Sequence, residues 1–112
     1  MKTIVGKCHC GAVEFEVDLD FDIDSDHVRR CNCSLCRRKG AVMASVKKEN
    51  LRVTKGADNL VLYQWNTKIA KHYFCRTCGI YTHHFRRSAP GECGFNVACI
   101  EGVDPLSFGD VV

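Results

Sequence analysis

Hydrophobic and polar residues alternate along one segment near the beginning of the chain. Residues 12–19 read AVEFEVDL, and every second residue is apolar: Val13, Phe15, Val17 and Leu19. The side chains of a β-strand point alternately to its two faces, so a period of two predicts a strand with one buried face. We therefore expect a half-buried strand here, directly after the segment CHCG.

Several other short apolar segments follow, and turn-forming residues separate them. The predicted strands are residues 41–46, 51–54, 60–65, 69–74, 80–85 and 93–100. The intervening segments KKEN, KGADN and SAPGE are rich in residues that favour turns, and this pattern is typical of β-rich domains. We expect a mainly β fold with short helical turns, one of them over residues 34–38 and ended by Gly40. Residues 102–110, GVDPLSFGD, are expected to form a loop.

Length and hydropathy limit the classes of protein to which the chain can belong. The chain has 112 residues and contains neither a linker-like segment nor a repeat beyond its cysteine segments, so we expect one domain over residues 1–112. No apolar run reaches the length of about 18 residues that a membrane-spanning helix needs. The first residues lack the apolar core of a secretory signal peptide, and we expect a cytoplasmic protein without a membrane partner. A sheet edge or an apolar strand face would allow two chains to pair as a homodimer.

Cysteine is the most informative residue type in the chain, with nine copies. Most are two or three residues apart, in CHC, CNCSLC and CRTC, and an odd number does not close into a complete set of disulfides. Such spacing suits a metal ion bound by one tight turn of backbone, whereas it strains a disulfide between neighbours. We therefore expect metal binding, with zinc as the metal and an iron–sulfur cluster as the lesser alternative.

Four of the thiols come from two segments that each end in glycine. CHCG contributes Cys8 and Cys10, and FCRTCG contributes Cys75 and Cys78. Glycine after the second cysteine allows a tight turn in which backbone N–H groups face the sulfurs. Four thiolates complete the tetrahedral shell of a structural zinc ion, so these residues are predicted to hold one zinc.

The remaining close group has three thiols rather than four: Cys31, Cys33 and Cys36. Catalytic zinc sites typically have three protein ligands and one position for water or substrate. A second zinc ion held by these cysteines would have room for chemistry, and a substrate thiol is a suitable fourth ligand. The alternative is a closed site that another residue completes; the candidates are Cys93, Cys99, His27, His83 and His84.

Basic residues flank the three-cysteine segment on both sides: Arg29, Arg30, Arg37, Arg38 and Lys39. They can form the rim of a pocket for a small carboxylate-bearing substrate, or a solvated surface that balances thiolate charge. The formal net charge is +3, and seven thiolates with two Zn²⁺ ions change it by −7 + 4 = −3, to about zero. The basic character is therefore compensated, and we expect no nucleic-acid partner.

The histidines have less specific interpretations. His83 and His84 are adjacent, so in a strand they point to opposite faces and at most one of them can face a given site. His9 and His72 are close to cysteine segments and are expected beside the metal sites or on the surface.

Two further pairs are expected to have structural roles. Cys93 and Cys99 are six residues apart on a predicted strand and are interpreted as buried free cysteines. Trp65 and Phe95 are predicted to lie in the core.

The order of the cysteine segments resembles that in the glutathione-dependent formaldehyde-activating enzyme family, also called the centromere protein V domain family. The matching segments are CHCG, CNCSLCRRKGA, FCRTCG and GFNVACIEGVD, and the resemblance covers about residues 3–108. It implies an Mss4-like zinc-bound β-sheet fold with two zinc ions. The resemblance places structural zinc on Cys8, Cys10, Cys75 and Cys78, and active-site zinc on Cys31, Cys33 and Cys36.

The resemblance also implies an activity, that of a carbon–sulfur lyase. Characterised members condense glutathione with formaldehyde to S-hydroxymethylglutathione, and the reaction is reversible. Cys31, Cys33 and Cys36 would then be the catalytic residues, and the substrate-binding candidates are Arg30, Ser34, Arg37 and Asn96. The expected partner is a small thiol such as glutathione. The alternative is a zinc-stabilised binding module without catalysis.

Overall fold

The structure is a computed structural model that describes residues 1–31, 33–64, 70–86, 89 and 91–109. Within these ranges the chain forms nine β-strands and one short α-helix. The strands are β1 (Lys2–Lys7), β2 (Glu14–Leu19), β3 (Val28–Arg29), β4 (Met43–Lys47), β5 (Leu51–Lys55), β6 (Leu60–Tyr63), β7 (Lys71–Cys75), β8 (Tyr81–Phe85) and β9 (Glu92–Asn96). Helix α1 spans Ser34–Lys39, and 3₁₀ turns are present at Lys48–Asn50, Ala57–Asn59, Val97–Cys99 and Pro105–Phe108.

The strands form two antiparallel sheets. The smaller sheet has three strands in the order β1-β2-β5, and the larger has six in the order β3-β4-β9-β8-β7-β6. The predicted mainly β fold with short helical turns is therefore confirmed. Strands β3 and β6 are the edges of the larger sheet as the structure describes it, and pairing of two chains stays a prediction.

The core is made by residues from both sheets. Strand β2 contributes Phe15, Val17 and Leu19, each at most 2% exposed, and these side chains cluster with residues of β4 and β9. The alternation in β2 thus reflects one buried face, as predicted. Phe95 of β9 is fully buried and confirmed as a core residue, whereas Trp65 lies outside the described residues.

The predicted strands correspond to β2 and β4 to β9, with shifted ends, while β1 and the two-residue β3 were not predicted. The predicted strand at residues 93–100 is wrong beyond Asn96. The side chain of Asn96 accepts a hydrogen bond from the Ala98 N–H at 3.1 Å and so begins a 3₁₀ turn. Cys93 and Cys99 therefore do not share a strand, although both are buried free cysteines as expected.

The segment expected to be a loop after Gly102 contains a short 3₁₀ turn, Pro105–Phe108. Asp104 caps this turn by accepting a hydrogen bond from the Leu106 N–H at 2.9 Å. Among the described residues, no helix combines the length and the apolar character needed to cross a membrane.

Candidate metal centres and active-site pocket

The first cysteine cluster joins the segment after β1 to the turn between β7 and β8. Its members are Cys8, Cys10, Cys75 and Cys78, and their sulfur atoms all lie within 4.8 Å of one another. Cys8 and Cys75 are buried and pack with Val13, whereas Cys10 is exposed. The fold therefore brings together the four cysteines that the sequence grouped.

Distances within this cluster suit a tetrahedral zinc ion. The Sγ–Sγ distance is 3.6 Å from Cys8 to Cys10 and 3.7 Å from Cys10 to Cys75. Zn–S bonds of about 2.3 Å in a tetrahedron separate the sulfurs by about 3.8 Å. The Val13 N–H donates to Cys8 Sγ at 3.3 Å, and Asn59 Nδ2 donates to Cys75 Sγ at 3.5 Å. Such hydrogen bonds stabilise thiolates, so the donor set fits zinc.

Two glycines give this cluster its turn geometry. Gly11 has φ of +80° and Gly79 has φ of +77°, in the left-handed region. The Gly11 N–H donates to the Cys8 carbonyl at 3.2 Å, and the Gly79 N–H donates to the Cys75 carbonyl at 2.9 Å. A residue with a Cβ is strained at such φ values, so glycine allows each pair of cysteines to converge on one point.

The second cluster lies at the N-terminal end of α1. The sulfurs of Cys31, Cys33 and Cys36 are within 4.8 Å of one another. Cys33 caps the helix, because its Sγ accepts a hydrogen bond from the Cys36 N–H at 3.3 Å. Gly40, with φ of +66°, ends the helix, and its N–H donates to the Cys36 carbonyl at 3.0 Å. The predicted helical turn is confirmed, and it places Cys33 and Cys36 on the same side of α1.

No fourth metal-ligating side chain joins this second cluster among the residues that the structure describes. Burial raises the pKa of Cys93 and of Cys99 to about 12, which keeps both thiols protonated in the core. His27 bonds to an aspartate three residues earlier, and His83 stacks on Tyr73. In the described part of the chain, the second group therefore has three ligands, against four in the first.

The three thiols face a cavity of about 500 Å³. Its other described lining residues are cationic, neutral polar or apolar: Arg29, Arg30, Lys39, Ala41, Met43, Ala70, His72, Tyr81, His84 and Arg86. Four of these side chains are cationic and none is a carboxylate. Arg86 pairs with Glu92 at 3.6 Å. The cavity thus presents thiols and positive charge together, which suits an anionic substrate.

The predicted substrate-binding residues lie in different places. Arg30 lines the cavity. Ser34 and Arg37 are exposed residues of α1 and are not among its described lining residues. Asn96 is buried, lines a neighbouring cavity, and donates a hydrogen bond from Nδ2 to the Tyr81 carbonyl at 2.9 Å. A substrate-binding role for Ser34, Arg37 or Asn96 stays a prediction.

Sequence reasoning missed the residues of β8 that line the cavity, chiefly Tyr81. Strict alternation places Tyr81 and His84 on opposite faces of a strand. In the structure the register between β7 and β8 shifts at Thr82, which is an extra residue of β8. This bulge brings Tyr81 to the same side as His84, and the Tyr81 hydroxyl bonds to His84 Nδ1. His72, opposite His84 on β7, completes this wall.

The aromatic and imidazole side chains of the cavity are uncharged near neutral pH. Burial, with the nearby Lys39 charge, lowers the pKa of His72 to about 4 and that of His84 to about 3. Burial also raises the pKa of Tyr81 well above its usual value. The Lys39 Nζ lies 3.1 Å from His72 Nδ1 and 3.5 Å from the centroid of the Tyr81 ring. The positive charge in the cavity therefore comes from arginine and lysine rather than from histidine.

The sequence and the fold are similar to those of known proteins. The sequence model of the family described as glutathione-dependent formaldehyde-activating enzyme matches residues 3–107. A Fusarium vanettenii protein provisionally named glutathione-dependent formaldehyde-activating enzyme is 31% identical over 81 residues, which are 69% of this chain and 42% of that protein. The chain thus spans less than half the length of this curated relative. A crystal structure of a Rhodobacter sphaeroides protein is similar with a TM-score of 0.91 and 57% identity, over 96% of this chain and 97% of that chain.

Proposed function

The chain belongs to the glutathione-dependent formaldehyde-activating enzyme family, and we propose on this premise that it is a zinc-dependent carbon–sulfur lyase. In the proposed reaction, the thiol of glutathione or of a similar small thiol adds reversibly to formaldehyde. The product is the S-hydroxymethyl adduct, S-hydroxymethylglutathione in the case of glutathione. The thiol loses one proton and the oxygen of the new hydroxyl group gains one, so the reaction needs neither an oxidant nor a reductant.

One observation carries this proposal: three thiols face a cationic cavity, and no described residue supplies a fourth ligand. The first cluster offers four thiols, the number that closes a structural zinc site. The second cluster offers three, which leaves one position for a substrate. Because both clusters use the same ligand type, the number of ligands is what distinguishes their expected roles.

The cavity also offers groups that suit the rest of glutathione, which carries two carboxylates and one ammonium group. Arg29, Arg30 and Lys39 form no ion pair with any carboxylate that the structure describes. A guanidinium group binds a carboxylate through two parallel hydrogen bonds. Arg29 and Arg30, beside the first cysteine of the cluster, can therefore hold substrate carboxylates while the thiol faces the three sulfurs.

In this proposal, Cys31, Cys33 and Cys36 hold the active-site zinc. Zinc supplies Lewis acidity there and lowers the pKa of a bound thiol, which provides a thiolate near neutral pH. The protein contributes position and charge. Helix α1 fixes two of the ligands, and the cations Arg30 and Lys39 favour negative charge on the substrate sulfur and on the oxygen that accepts electrons.

Two serine variants test the proposal in protein saturated with zinc. The readout is the rate at which glutathione and formaldehyde reach equilibrium with their adduct, followed by NMR. We expect the natural protein to accelerate this reaction, and Cys33→Ser to lose at least about 100-fold of the acceleration while it stays folded. Cys10→Ser is expected to lower the melting temperature strongly, because a structural zinc contributes directly to the free energy of folding.

The outcomes distinguish the alternatives. A folded, zinc-loaded protein that accelerates the reaction with neither glutathione nor other small thiols would overturn the lyase proposal and favour a non-catalytic binding module. If Cys33→Ser unfolds as readily as Cys10→Ser, the division into a structural and an active-site cluster is wrong.

A further inference from the structure

The geometry points to Tyr81 as the catalytic residue that exchanges a proton with the formaldehyde oxygen, with His84 and Gly94 as positioning residues. This inference rests on the proposed function, because it assigns a group that the proposed reaction requires. When the sulfur–carbon bond forms, the electron pair of the carbonyl moves to the oxygen, and that oxygen needs a proton.

Tyr81 is the only hydroxyl-bearing side chain among the described residues that line the cavity. The arginine side chains there keep their protons at any pH at which the protein folds. Lys39 directs its ammonium group at His72 Nδ1, 3.1 Å away, and at the face of the Tyr81 ring, so in this proposal it supplies charge rather than the proton. The remaining candidate is the pair formed by His84 Nδ1 and the Tyr81 hydroxyl. Within this pair the hydroxyl can turn its proton toward a bound oxygen by rotation about its C–O bond, whereas an imidazole N–H is fixed in the plane of its ring.

Burial of the Tyr81 ring favours the protonated hydroxyl, and the Lys39 ammonium favours the deprotonated one. The His84 ring lies nearly parallel to the Tyr81 ring, at 9° with the centroids 6.0 Å apart. The Lys39 ammonium, 3.5 Å from the Tyr81 centroid, favours the phenolate that remains after the proton has moved. Burial raises the pKa of Tyr81, so the hydroxyl is protonated before substrate binds.

A glycine on the neighbouring strand gives His84 its position. His84 pairs with Gly94 across β8 and β9. A Cβ at position 94 would lie 2.7 Å from His84 Cε1 and 3.1 Å from His84 Nε2. The imidazole of His84 therefore occupies space that the Cβ of any residue other than glycine at position 94 would fill. This contact holds Nδ1 toward the Tyr81 hydroxyl.

The proposed step balances in protons and electrons. The substrate thiol first loses its proton to solvent, and the sulfur electron pair then forms the bond to the formaldehyde carbon. As the C=O π bond breaks, Tyr81 gives its hydroxyl proton to the oxygen. The phenolate then takes one proton from solvent, which restores the enzyme. Cleavage of the adduct follows the same steps in reverse, with Tyr81 accepting the hydroxyl proton.

The experiment measures kcat and KM for the reaction of glutathione with formaldehyde, together with zinc content and melting temperature. Tyr81→Phe removes only the hydroxyl oxygen and its proton. We expect kcat to fall about 100-fold, with KM for glutathione within about twofold of the natural value and zinc content unchanged. The matched control is Tyr73→Phe, because Tyr73 stacks on His83 and does not line the cavity. Its kcat should stay within about twofold of the natural value.

A second pair of variants tests the positioning role and does not depend on Tyr81→Phe folding. His84→Leu removes the partner of the hydroxyl and should lower kcat about tenfold, whereas His84→Asn, whose amide can replace Nδ1, should restore most of the loss. An active natural protein whose Tyr81→Phe variant keeps kcat within about threefold would overturn the inference and leave the lyase proposal intact. Equal kcat values for His84→Leu and His84→Asn would overturn the positioning role. An inactive natural protein would overturn the proposed function, and the inference with it.

Discussion

At the scale of single residues, two arginines predicted to bind substrate differ in their position relative to the cavity. Arg30 precedes the three-cysteine segment and Arg37 follows it. From the sequence alone, both are equally good candidates for binding substrate. Arg30 directly precedes the cluster and lines the cavity, whereas Arg37 is an exposed residue of α1 outside the described lining. We therefore expect the two arginines to differ in their effect on substrate binding.

Replacing Arg30 by alanine should weaken glutathione binding more than replacing Arg37 does. A hydrogen bond to a charged group contributes about 1.5 kcal/mol, so Arg30→Ala should raise KM for glutathione about tenfold with a smaller change in kcat. Arg37→Ala is the matched control and should keep KM within about twofold. Steady-state kinetics with varied glutathione measures both values. A larger KM increase for Arg37→Ala would mean that substrate lies along the exposed face of α1.

His83 provides a residue-scale test of burial in the core. Burial lowers the pKa of His83 to about 4, against about 6.5 for an exposed histidine. Protonation therefore favours the unfolded chain, and the stabilising contribution of neutral His83 is lost as the pH falls from about 6.5 toward 4. We expect the ring resonances of His83 in the zinc-loaded protein to stay unchanged from about pH 8 to 6 by NMR. A titration midpoint above about 6 would show that His83 is exposed to solvent.

At the scale of elements, the cysteine turns depend on backbone conformation rather than on side-chain packing. Among the described residues beyond its chain neighbours, no heavy atom lies within 4 Å of a Cβ built on Gly79, so an alanine there meets no steric obstacle from them. Its φ of +77° is nevertheless unfavourable for any residue with a Cβ. The cost of a substitution at this turn is therefore conformational.

Gly79→Ala should lower the free energy of unfolding of the zinc-loaded protein by about 1–2 kcal/mol. Gly91→Ala is the matched control, because the described residues also leave open space around a Cβ at Gly91, which has no left-handed φ. This control should leave the stability unchanged or raise it slightly, since alanine has fewer unfolded conformations. Denaturant unfolding of both variants gives the comparison. Equal effects would mean that the turn at residue 79 tolerates alanine.

The sequence was informative where local rules determine the structure. The alternation in β2, the cysteine spacing and the helical turn ended by Gly40 each depend on neighbouring residues only, and each matches the structure. The bulge at Thr82 does not follow from a local pattern, because the register of β8 is fixed by its pairing with β7. Tyr81 was therefore not predicted to line the cavity.

At the scale of the whole molecule, strand order assembles the site. The cavity takes one group of residues from β3, α1 and β4 and a second group from β7 and β8, about 30 residues later in the chain. Strand β9 lies between β4 and β8, so the sheet order differs from the chain order. Such long-range pairing is not encoded in hydrophobic periodicity, and for this reason the cavity residues of β7 and β8 could not be predicted from the sequence.

The two cysteine clusters also differ in the parts of the molecule that they connect. The first cluster connects the smaller sheet, through the end of β1, to the larger sheet at β7. The second cluster is local to the segment before α1 and within it, and it faces the cavity. Metal at the first cluster should therefore stabilise the arrangement of both sheets, whereas metal at the second should serve the cavity.

The proposed function depends most on the three-cysteine cluster, which would hold a zinc ion with a position open to a substrate thiol. Native mass spectrometry of reduced, zinc-loaded protein titrated with glutathione tests it most directly, with Cys33→Ser as the control. We expect two zinc ions per chain, from the two cysteine groups, and one bound glutathione that is lost in Cys33→Ser. Two zinc ions with neither glutathione nor another small thiol bound at any concentration would mean that the second site is closed, and zinc with an open position would be ruled out.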